Sequence, residues 1–415
     1  MTGRDELEER IAHVVRRADT CSGCGACSHV SSRVTLALDE RGHLRPRVSC
    51  PPATAAEARE ERHQFDAICP GLRLEAPDLA KLKHHKVFGG YVSAWEGQAS
   101  DAQIRFAGGS AGVLTALTLW MIDSGIAKGA VGVAPDADES RRTVSVSVMK
   151  REEALRSAGS RYAPVSTLAA YDVTGRDVYV GRPCEAGALR QLQDYRLVPA
   201  GDRPPSLSFF CAGVPSQAAT DDLIRSFGTE PAKARILRYR GNGWPGDFTF
   251  EDEYGNAKRL SYEKSWGEHL GRDLPWRCKL CPDGTGASAD IAVGDFWEAD
   301  ERGFPTFSDR DGTSVVIART ERGHNWLLRA ASEGVLHLSS IDLDGVARVQ
   351  PLQTERKRTL VVRLIGRVLA GRPVPSYHGY HLVASTTLNP KKLAKAFLGT
   401  LERSLFKARY RTPEL

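Results

Sequence analysis

The 415-residue chain has no long apolar run. Its composition is 41% hydrophobic and 26% charged, which is ordinary for a soluble globular protein. No stretch approaches the roughly 20 consecutive apolar residues that a membrane-spanning helix needs. The first residues, MTGRDELEERIAHVV, are charged and lack the apolar region of a secretory signal. We therefore expect a cytoplasmic protein without a transmembrane segment.

Several nucleotide-binding and nucleic-acid-binding signatures are also missing. Neither a G-x-G-x-x-G turn after a strand nor a Walker A loop is present. Basic residues are spread along the chain without the interleaved aromatics of an RNA-binding surface. We therefore expect no nucleic-acid partner. The formal net charge of +6 favours acidic partners or anionic ligands instead.

Nine cysteines stand in a chain that shows no export signal, so reduced thiols or metal ligands are favoured over a disulfide framework. Cys21, Cys24 and Cys27 form a C-x2-C-x2-C run in a glycine-rich loop, and Cys69 is followed by proline. This arrangement is typical of a [4Fe-4S] cluster with a remote fourth ligand. A zinc knuckle is the alternative, although zinc usually pairs two C-x2-C hooks or adds histidine. Cys50 also precedes a proline and competes with Cys69 for the fourth position.

A second set of four cysteines is less compact. Cys278 and Cys281 form another C-x2-C hook, while Cys184 and Cys211 stand alone. Both lone cysteines lie at the carboxyl ends of predicted strands, where α/β folds build their sites. Spacing leaves three interpretations open: a second cluster, an inert buried Cys211, or a redox-active 278/281 disulfide. The disulfide lacks a thioredoxin-like βαβ context.

Periodicity predicts two regions of different character. Helix 4–18 and a β-hairpin over 33–48 surround the first cysteine loop, and a linker over 76–88 follows. Strands then alternate with helices up to about residue 228, which indicates an α/β core. Residues 235–320 are rich in predicted strands, and helices are predicted over 323–334, 354–370 and from Pro390 onward. The last helix places four apolar residues on one side: Leu393, Phe397, Leu401 and Leu405.

A glycine- and serine-rich loop precedes the apolar helix that starts at residue 113. It consists of Gly108, Gly109, Ser110, Ala111 and Gly112. Small residues before a helix N-terminus expose N–H groups to an anion, and a dinucleotide pyrophosphate would suit them. A structural turn explains this loop equally well. Downstream, Ser160, Arg161 and Tyr162 add a cation and an aromatic ring, or simply end a helix.

Taken together, these segments resemble the coenzyme F420 hydrogenase/dehydrogenase beta-subunit family. That family includes the beta subunits of F420-reducing hydrogenase and F420-dependent formate dehydrogenase, and 7-hydroxymethyl chlorophyll a reductase. The resembling motifs cover about residues 15–325: CSGCGAC, AGGSAGVLTAL, GSRYAPV, VGRPCEAGALRQL, FFCAGVPS, NGWPG, WRCKLCPDGTGASADIAVGDFW and GTSVVIARTERG.

The resemblance implies FAD and one or two [4Fe-4S] clusters. It implies that residues 108–112 and 160–162 bind the flavin, with Arg161 standing where the family has lysine. Arginine is a planar fork and lysine a point charge, so a catalytic role does not carry over, and no catalytic residue is assigned. The resemblance also implies that the second cysteine set, Cys184, Cys211, Cys278 and Cys281, holds a cluster in addition to the one at Cys21, Cys24, Cys27 and Cys69.

The expected fold is α/β (α+β) with three parts. Residues 1–75 form a ferredoxin-like [4Fe-4S] module, 86–325 a mixed α/β core for FAD and the second cluster, with a β-rich second half, and 326–415 a C-terminal helical region. We expect an iron–sulfur flavoprotein oxidoreductase that couples one-electron transfer to hydride chemistry on coenzyme F420. The alternatives are a ferredoxin-dependent reductase of a specific organic substrate and a non-enzymatic electron-transfer subunit, which would dock by the basic tail 390–412 on a larger catalytic partner or a membrane surface. The partners expected are ferredoxin or F420 as redox partner, a small-molecule substrate, and a second copy of the chain or a partner subunit.

Overall fold

The computed structural model describes residues 5–78, 82–299, 305–306, 312–387 and 389–406. Its helices vary in length from single turns to about five turns. In chain order they are α1 (Glu6–Ala12), α2 (Ala55–Ile68), α3 (Ala102–Ala107), α4 (Val113–Asp123), α5 (Arg151–Ser157), α6 (Pro183–Tyr195), α7 (Gln217–Arg225), α8 (Trp276–Lys279), α9 (Glu321–Ser332), α10 (Leu343–Val349), α11 (Pro351–Leu369), α12 (Leu382–Ser385) and α13 (Pro390–Phe406).

The strands are short and fall into several sheets. They are β1 (Val34–Leu38), β2 (Leu44–Val48), β3 (Arg73–Glu75), β4 (Lys83–His85), β5 (Gly89–Tyr91), β6 (Ser93–Ala99), β7 (Ala130–Pro135), β8 (Thr143–Val148), β9 (Tyr179–Gly181), β10 (Ser206–Phe209), β11 (Ala234–Arg238), β12 (Phe248–Asp252), β13 (Ala257–Leu260), β14 (Ile291–Asp295), β15 (Glu298–Ala299), β16 (Pro305–Thr306), β17 (Ser314–Ala318), β18 (Leu336–Ser340) and β19 (Ser376–His378).

The core of the molecule is a six-stranded mixed sheet in the order β18-β6-β17-β14-β10-β9. Strands β6, β14, β10 and β9 run in one direction, and β17 and β18 run in the other. All five residues of β17, SVVIA, are buried, as expected for a strand covered on both faces. Helices α4 and α9 pack on this sheet through Leu117, Trp120 and Leu327. The mixed α/β architecture agrees with the expectation.

The N-terminal region contains the predicted β-hairpin, with α1 and α2 packed beside it. Strands β1 and β2 pair antiparallel with Val34 opposite Val48, so the hairpin prediction is confirmed. Arg33 lies beneath it and forms buried ion pairs with Asp5 and Glu61, which ties α1, the hairpin and α2 together. Helix α2 ends at Ile68, so Cys69 occupies its C-cap.

Several predicted boundaries differ from the observed ones. The linker over 76–88 contains β4, which pairs with β5. The strand-rich region 235–320 divides among three sheets, because β11, β12 and β13 form their own antiparallel sheet, β15 pairs with β16, and β14 and β17 join the central sheet. The division at 325/326 falls inside α9, and β18 pairs with β6. These elements therefore continue the central core.

The C-terminal helix α13 packs along α11. The approach is close, because a Cβ on Gly366 would lie 3.1 Å from the carbonyl oxygen of Phe397. Its buried residues are the small Thr400 and Ser404, whereas Leu405 is 47% exposed. The predicted apolar face of α13 therefore packs only partly on α11, because a close contact between two helices favours small residues at the interface. Within the described ranges, no helix combines the length and apolarity that crossing a membrane requires.

Candidate functional site

One edge of the central sheet gathers the predicted site segments. The parallel strands β9, β10 and β14 end there and lead into Cys184, Cys211 and Trp297, respectively. Strand β6 ends at the same edge and continues through α3 into the 108–112 loop. Carboxyl ends of parallel strands are where open α/β sheets build their sites.

The first cysteine site lies in the N-terminal region. Its four thiol residues, Cys21, Cys24, Cys27 and Cys69, border one cavity of about 400 Å³, counting space open to solvent. Gly23 and Gly25 adopt φ values of +64° and +81°, a left-handed conformation that glycine allows without a Cβ penalty. These two turns fold the loop so that its cysteines share one cavity.

Burial makes the first-site thiols resist ionisation. Burial, followed by the neighbouring thiols, raises the pKa of Cys27 well above its usual value. Burial and the Cys24 and Cys21 thiols likewise raise the pKa of Cys69. Bringing four thiolates together here therefore requires a compensating cation.

Cys50 lies apart from this cavity. It is solvent-exposed, and its carbonyl oxygen accepts a hydrogen bond from Arg33. Of the two candidates for the fourth position, the structure brings Cys69 to the loop cysteines and leaves Cys50 on the surface.

The second cysteine site combines three separate segments. Cys184 lies in the first turn of α6, one turn later than the strand end that we expected. Cys211 follows β10, and its backbone N–H donates to the carbonyl of Gly284 at 2.9 Å, just beyond the Cys278–Cys281 hook. Burial, and then the Cys278 thiol, raises the pKa of Cys211 to about 12.

Arginines surround this second site. Arg277 is 1% exposed, and its Nη1 donates to the Tyr377 hydroxyl at 2.8 Å. Its Nε and Nη2 donate to no acceptor among the described residues. Arg356 donates to the carbonyls of Cys211 at 3.0 Å and Ala212 at 2.8 Å. Sequence reasoning missed these arginines, since the only signal near Arg277 is the C-x2-C hook that begins at the next residue, Cys278.

Arg182 connects the two cysteine sites. Its guanidinium forms a buried ion pair with Glu185 at 2.7 Å and donates to the carbonyl of Gly23 in the first loop at 3.4 Å. Beside it, the hydroxyl of Ser166 donates to the carbonyl of Cys24 at 2.7 Å. The first loop is therefore attached directly to the element that precedes Cys184.

The 108–112 loop lies over the other half of the same sheet edge. The Ser110 hydroxyl is 2.9 Å from that of Ser314 and donates to the Gly294 carbonyl at 3.3 Å. Gly112 is the N-cap of α4, with no side-chain cap, so the first-turn N–H groups remain for another acceptor. A Cβ on Gly109 would lie 2.7 Å from the Ser160 hydroxyl, which places the two predicted flavin segments side by side.

Arg161 and Tyr162 are held by protein contacts. Arg161 donates to the Thr143 hydroxyl at 2.8 Å and to three backbone carbonyls, those of Leu237, Ser140 and Arg142. The Tyr162 ring packs 4.8 Å from the Trp266 ring. Arg161 thus fastens its segment to the β8 and β11 region, and its assignment to the cofactor stays a prediction.

A buried aromatic cluster lies next to the end of β14. The rings of Trp244 and Trp297 are 4.4 Å apart, and the Arg240 guanidinium lies over both. Arg240 also donates to Asp295 at 2.6 Å. The two tryptophans are core aromatics in this structure. Arg240 carried no sequence signal beyond its place just before the NGWPG motif.

Two sequence models of one family match most of the sheet and its edge. The family is the coenzyme F420 hydrogenase/dehydrogenase beta subunit; its N-terminal model matches residues 94–171, and its C-terminal model matches residues 176–344. The chain belongs to this family. The F420 beta-subunit matches include the 108–112 loop and the second cysteine site, while the first cysteine site precedes both matched ranges.

Curated proteins are similar over more of the chain than the two family models match. The chain is 26% identical over 309 residues to coenzyme F420 hydrogenase subunit beta of Methanococcus voltae, covering 69% of this chain and 99% of that protein. It is 27% identical over 357 residues to coenzyme F420-dependent sulfite reductase of Methanocaldococcus jannaschii, covering 83% of this chain and 50% of that protein. The chain thus spans about half the length of the sulfite reductase.

A solved structure also matches. It is a chain of the F420-reducing [NiFe] hydrogenase complex from Methanosarcina barkeri, with a TM-score of 0.49 and 19% identity, covering 68% of this chain and 96% of that one.

Proposed function

We propose that this chain is an iron–sulfur flavoprotein oxidoreductase that passes electrons between two [4Fe-4S] clusters and FAD, with coenzyme F420 as its hydride partner. The observation that carries the proposal is the order of sites along one sheet edge. The first cysteine site adjoins Arg182, Arg182 precedes Cys184, and Cys211 follows Phe210, whose ring lies against Gly294. Gly294 in turn contacts Ser110 of the 108–112 loop.

The residues present fit these cofactors. At the first site, four thiols border a cavity that glycines and apolar side chains also line. Three cysteines in one seven-residue loop, with a remote Cys69 followed by proline, favour a cubane. Zinc usually pairs two C-x2-C hooks or adds histidine.

The protein's own groups supply binding and electrostatics. The cysteines would hold the clusters as thiolates, and the uncapped N-terminus of α4 would face the pyrophosphate of FAD. A flavin supplies the exchange between single electrons and a hydride, so the protein has to position it and exclude competing reactions. Ser110, fixed to Ser314 and Gly294, would set the loop against the sheet edge.

Anaerobic purification followed by iron, acid-labile sulfide and flavin analysis tests the cofactors. We expect about eight irons per chain and one FAD. Zinc without iron would refute the proposal, and four irons would remove one cluster.

Titration of the purified protein identifies the redox partner. Reduction of the flavin by reduced F420 alone supports the F420-linked function. Reduction only by reduced ferredoxin, with turnover of a small organic molecule, would replace it with a ferredoxin-dependent reductase. The names of the relatives favour a third possibility, because several are called hydrogenase subunits. Reduction by neither donor until a partner subunit is added would identify an electron-transfer subunit.

A further inference from the structure

The second cysteine site contains buried positive charge that the protein itself does not neutralise. Two donors of Arg277, Nε and Nη2, have no acceptor among the described residues, and the group is almost fully buried. An unsatisfied buried donor costs free energy, so native structures rarely leave one without a reason. The Coulombic partners of Arg277 are Tyr377, Cys281, Cys184 and Cys278. An anionic acceptor between those cysteines would complete its hydrogen bonds.

Other cations face the same site. Arg356 donates a hydrogen bond to the carbonyl oxygen of Cys211. Its positive charge lowers the pKa of the Cys211 and Cys281 thiols, although burial raises the pKa of both by more. The buried Lys357 donates to the Pro282 carbonyl at 3.1 Å. Burial lowers the pKa of this amine to about 8, against the opposing effect of the Asp283 carboxylate.

Carboxylates offset only part of this charge. Glu185 is already paired with Arg182. Asp283 accepts hydrogen bonds from the N–H groups of Thr285 and Ala287, and its charge acts on both Lys357 and Arg319. In the described part of the chain, neither carboxylate forms an ion pair with Arg277 or Arg356, so positive charge remains in excess around these cysteines.

The first cysteine site shows no comparable excess of positive charge. Arg45 donates to the Cys21 carbonyl at 3.1 Å, but it is paired with Asp39 at 3.4 Å and Asp19 at 4.0 Å. Neighbouring thiols, and not cations, are the main electrostatic influences on Cys27 and Cys69. Cys24 also experiences the negative charge of Glu185.

We infer that Arg277, assisted by Arg356, sets a cluster at Cys184, Cys211, Cys278 and Cys281 to a higher reduction potential than a cluster at Cys21, Cys24, Cys27 and Cys69. Reduction adds one negative charge to a cluster, and a nearby cation with free N–H donors stabilises the reduced form. The burial of Arg277 strengthens that interaction. Electrons that enter the chain then collect at the second site, next to the 108–112 loop. This inference rests on the proposed iron–sulfur function.

Potentiometric titration followed by EPR tests the order of potentials. Cys27→Ala and Cys281→Ala, each of which retains only one complete cysteine set, assign the two signals to their sites. In the native chain we expect the second-site signal to appear at the higher potential. Arg277→Gln should shift that signal to lower potential and leave the first-site signal unchanged, while Arg277→Lys, which keeps the charge, should shift it less.

Two further variants make the test decisive. Arg356→Gln, at a half-buried position, should shift the second-site signal in the same direction, and it replaces Arg277→Gln if that variant does not hold the cluster. Arg358→Gln removes one charge from the same helix, α11, at a position that forms no hydrogen bond with a cysteine of the described ranges, and should shift the signal less than Arg356→Gln. Two clusters with the reverse order, or no shift in the arginine variants, would overturn the inference. Protein without iron would instead refute the proposed function.

Discussion

The two cysteine sites each bring four thiols together, but they are constructed differently. The first takes three cysteines from one seven-residue loop, and two left-handed glycines fold that loop. The second collects cysteines from the start of α6, the end of β10 and the α8 segment. A site made by one loop depends on local backbone conformation, whereas a site made by several segments depends on the whole sheet. The second site also recruits buried arginines from neighbouring elements, which a short loop cannot provide.

The largest effects are expected when one thiol is removed from either cysteine site, which distinguishes the iron bound at the two sites. Cys27→Ala and Cys281→Ala should each lower iron from about eight to about four atoms per chain, because each removes one of the four thiolates that hold a cubane. Iron analysis should give about the same count for the two variants. Their EPR spectra should be complementary, because each variant keeps the signal that the other has lost. Loss of all iron in both variants would show that the sites assemble only together.

The connection between the sites predicts the next largest effect. Arg182→Met leaves the buried Glu185 without its partner, and we expect unfolding free energy to fall by about 3–5 kcal/mol. Arg225→Met, which removes an exposed ion pair with Asp222, should change it by less than about 1 kcal/mol. Denaturant unfolding measures both. A similar change in the two variants would mean that Arg182 does not carry the connection.

A matched pair of glycines tests the loop construction of the first site. Gly25 has φ +81°, and an added Cβ would lie 2.3 Å from the Ser166 hydroxyl; Gly228 has φ +80° with open space around it. Both alanine variants incur a left-handed backbone penalty of about 1 kcal/mol, and Gly25→Ala adds a clash of about 1–3 kcal/mol. Denaturant unfolding should therefore show Gly25→Ala to be the less stable variant. Equal stability would show that Ser166 and the nearby Ala169 both give way, and that the close packing of this loop is not needed.

The smallest effect is expected at the exposed cysteine. Cys50→Ser should leave iron content and the first-site spectrum unchanged, because Cys50 lies outside the cavity. Cys69→Ala is the matched variant and should abolish the first-site signal. The reverse result would exchange their assignments.

Local patterns predicted the local parts of this molecule. The β1–β2 hairpin, the apolar helix α4 and the cysteine loop all follow from neighbouring residues, because alternation, helical periodicity and short spacing are local properties. The sheet order is not local. Nothing near residue 336 indicates that β18 pairs with β6, and the prediction therefore divided the chain within α9.

The candidate site shows the same limit. Its cysteines and the 108–112 loop could be proposed from motifs, yet the buried Arg277 could not, since a lone arginine directly before a C-x2-C hook has no distinctive pattern. Its importance depends on burial and on donors without acceptors, which only the packed fold reveals. The same holds for Arg182, whose contact with Gly23 spans 159 positions of sequence.

The shared sheet edge has a consequence for timing. Strands β9, β10 and β14 are hydrogen-bonded neighbours, and a close-packed sheet holds the segments that follow them at fixed separations. The same sheet contains β6, which leads into the 108–112 loop, so the distance between the second cysteine site and this loop is set once, when the sheet forms. Electron transfer between a cluster at the second cysteine site and a cofactor at the 108–112 loop would then need no swinging arm or domain rotation. Its rate should not depend on solvent viscosity.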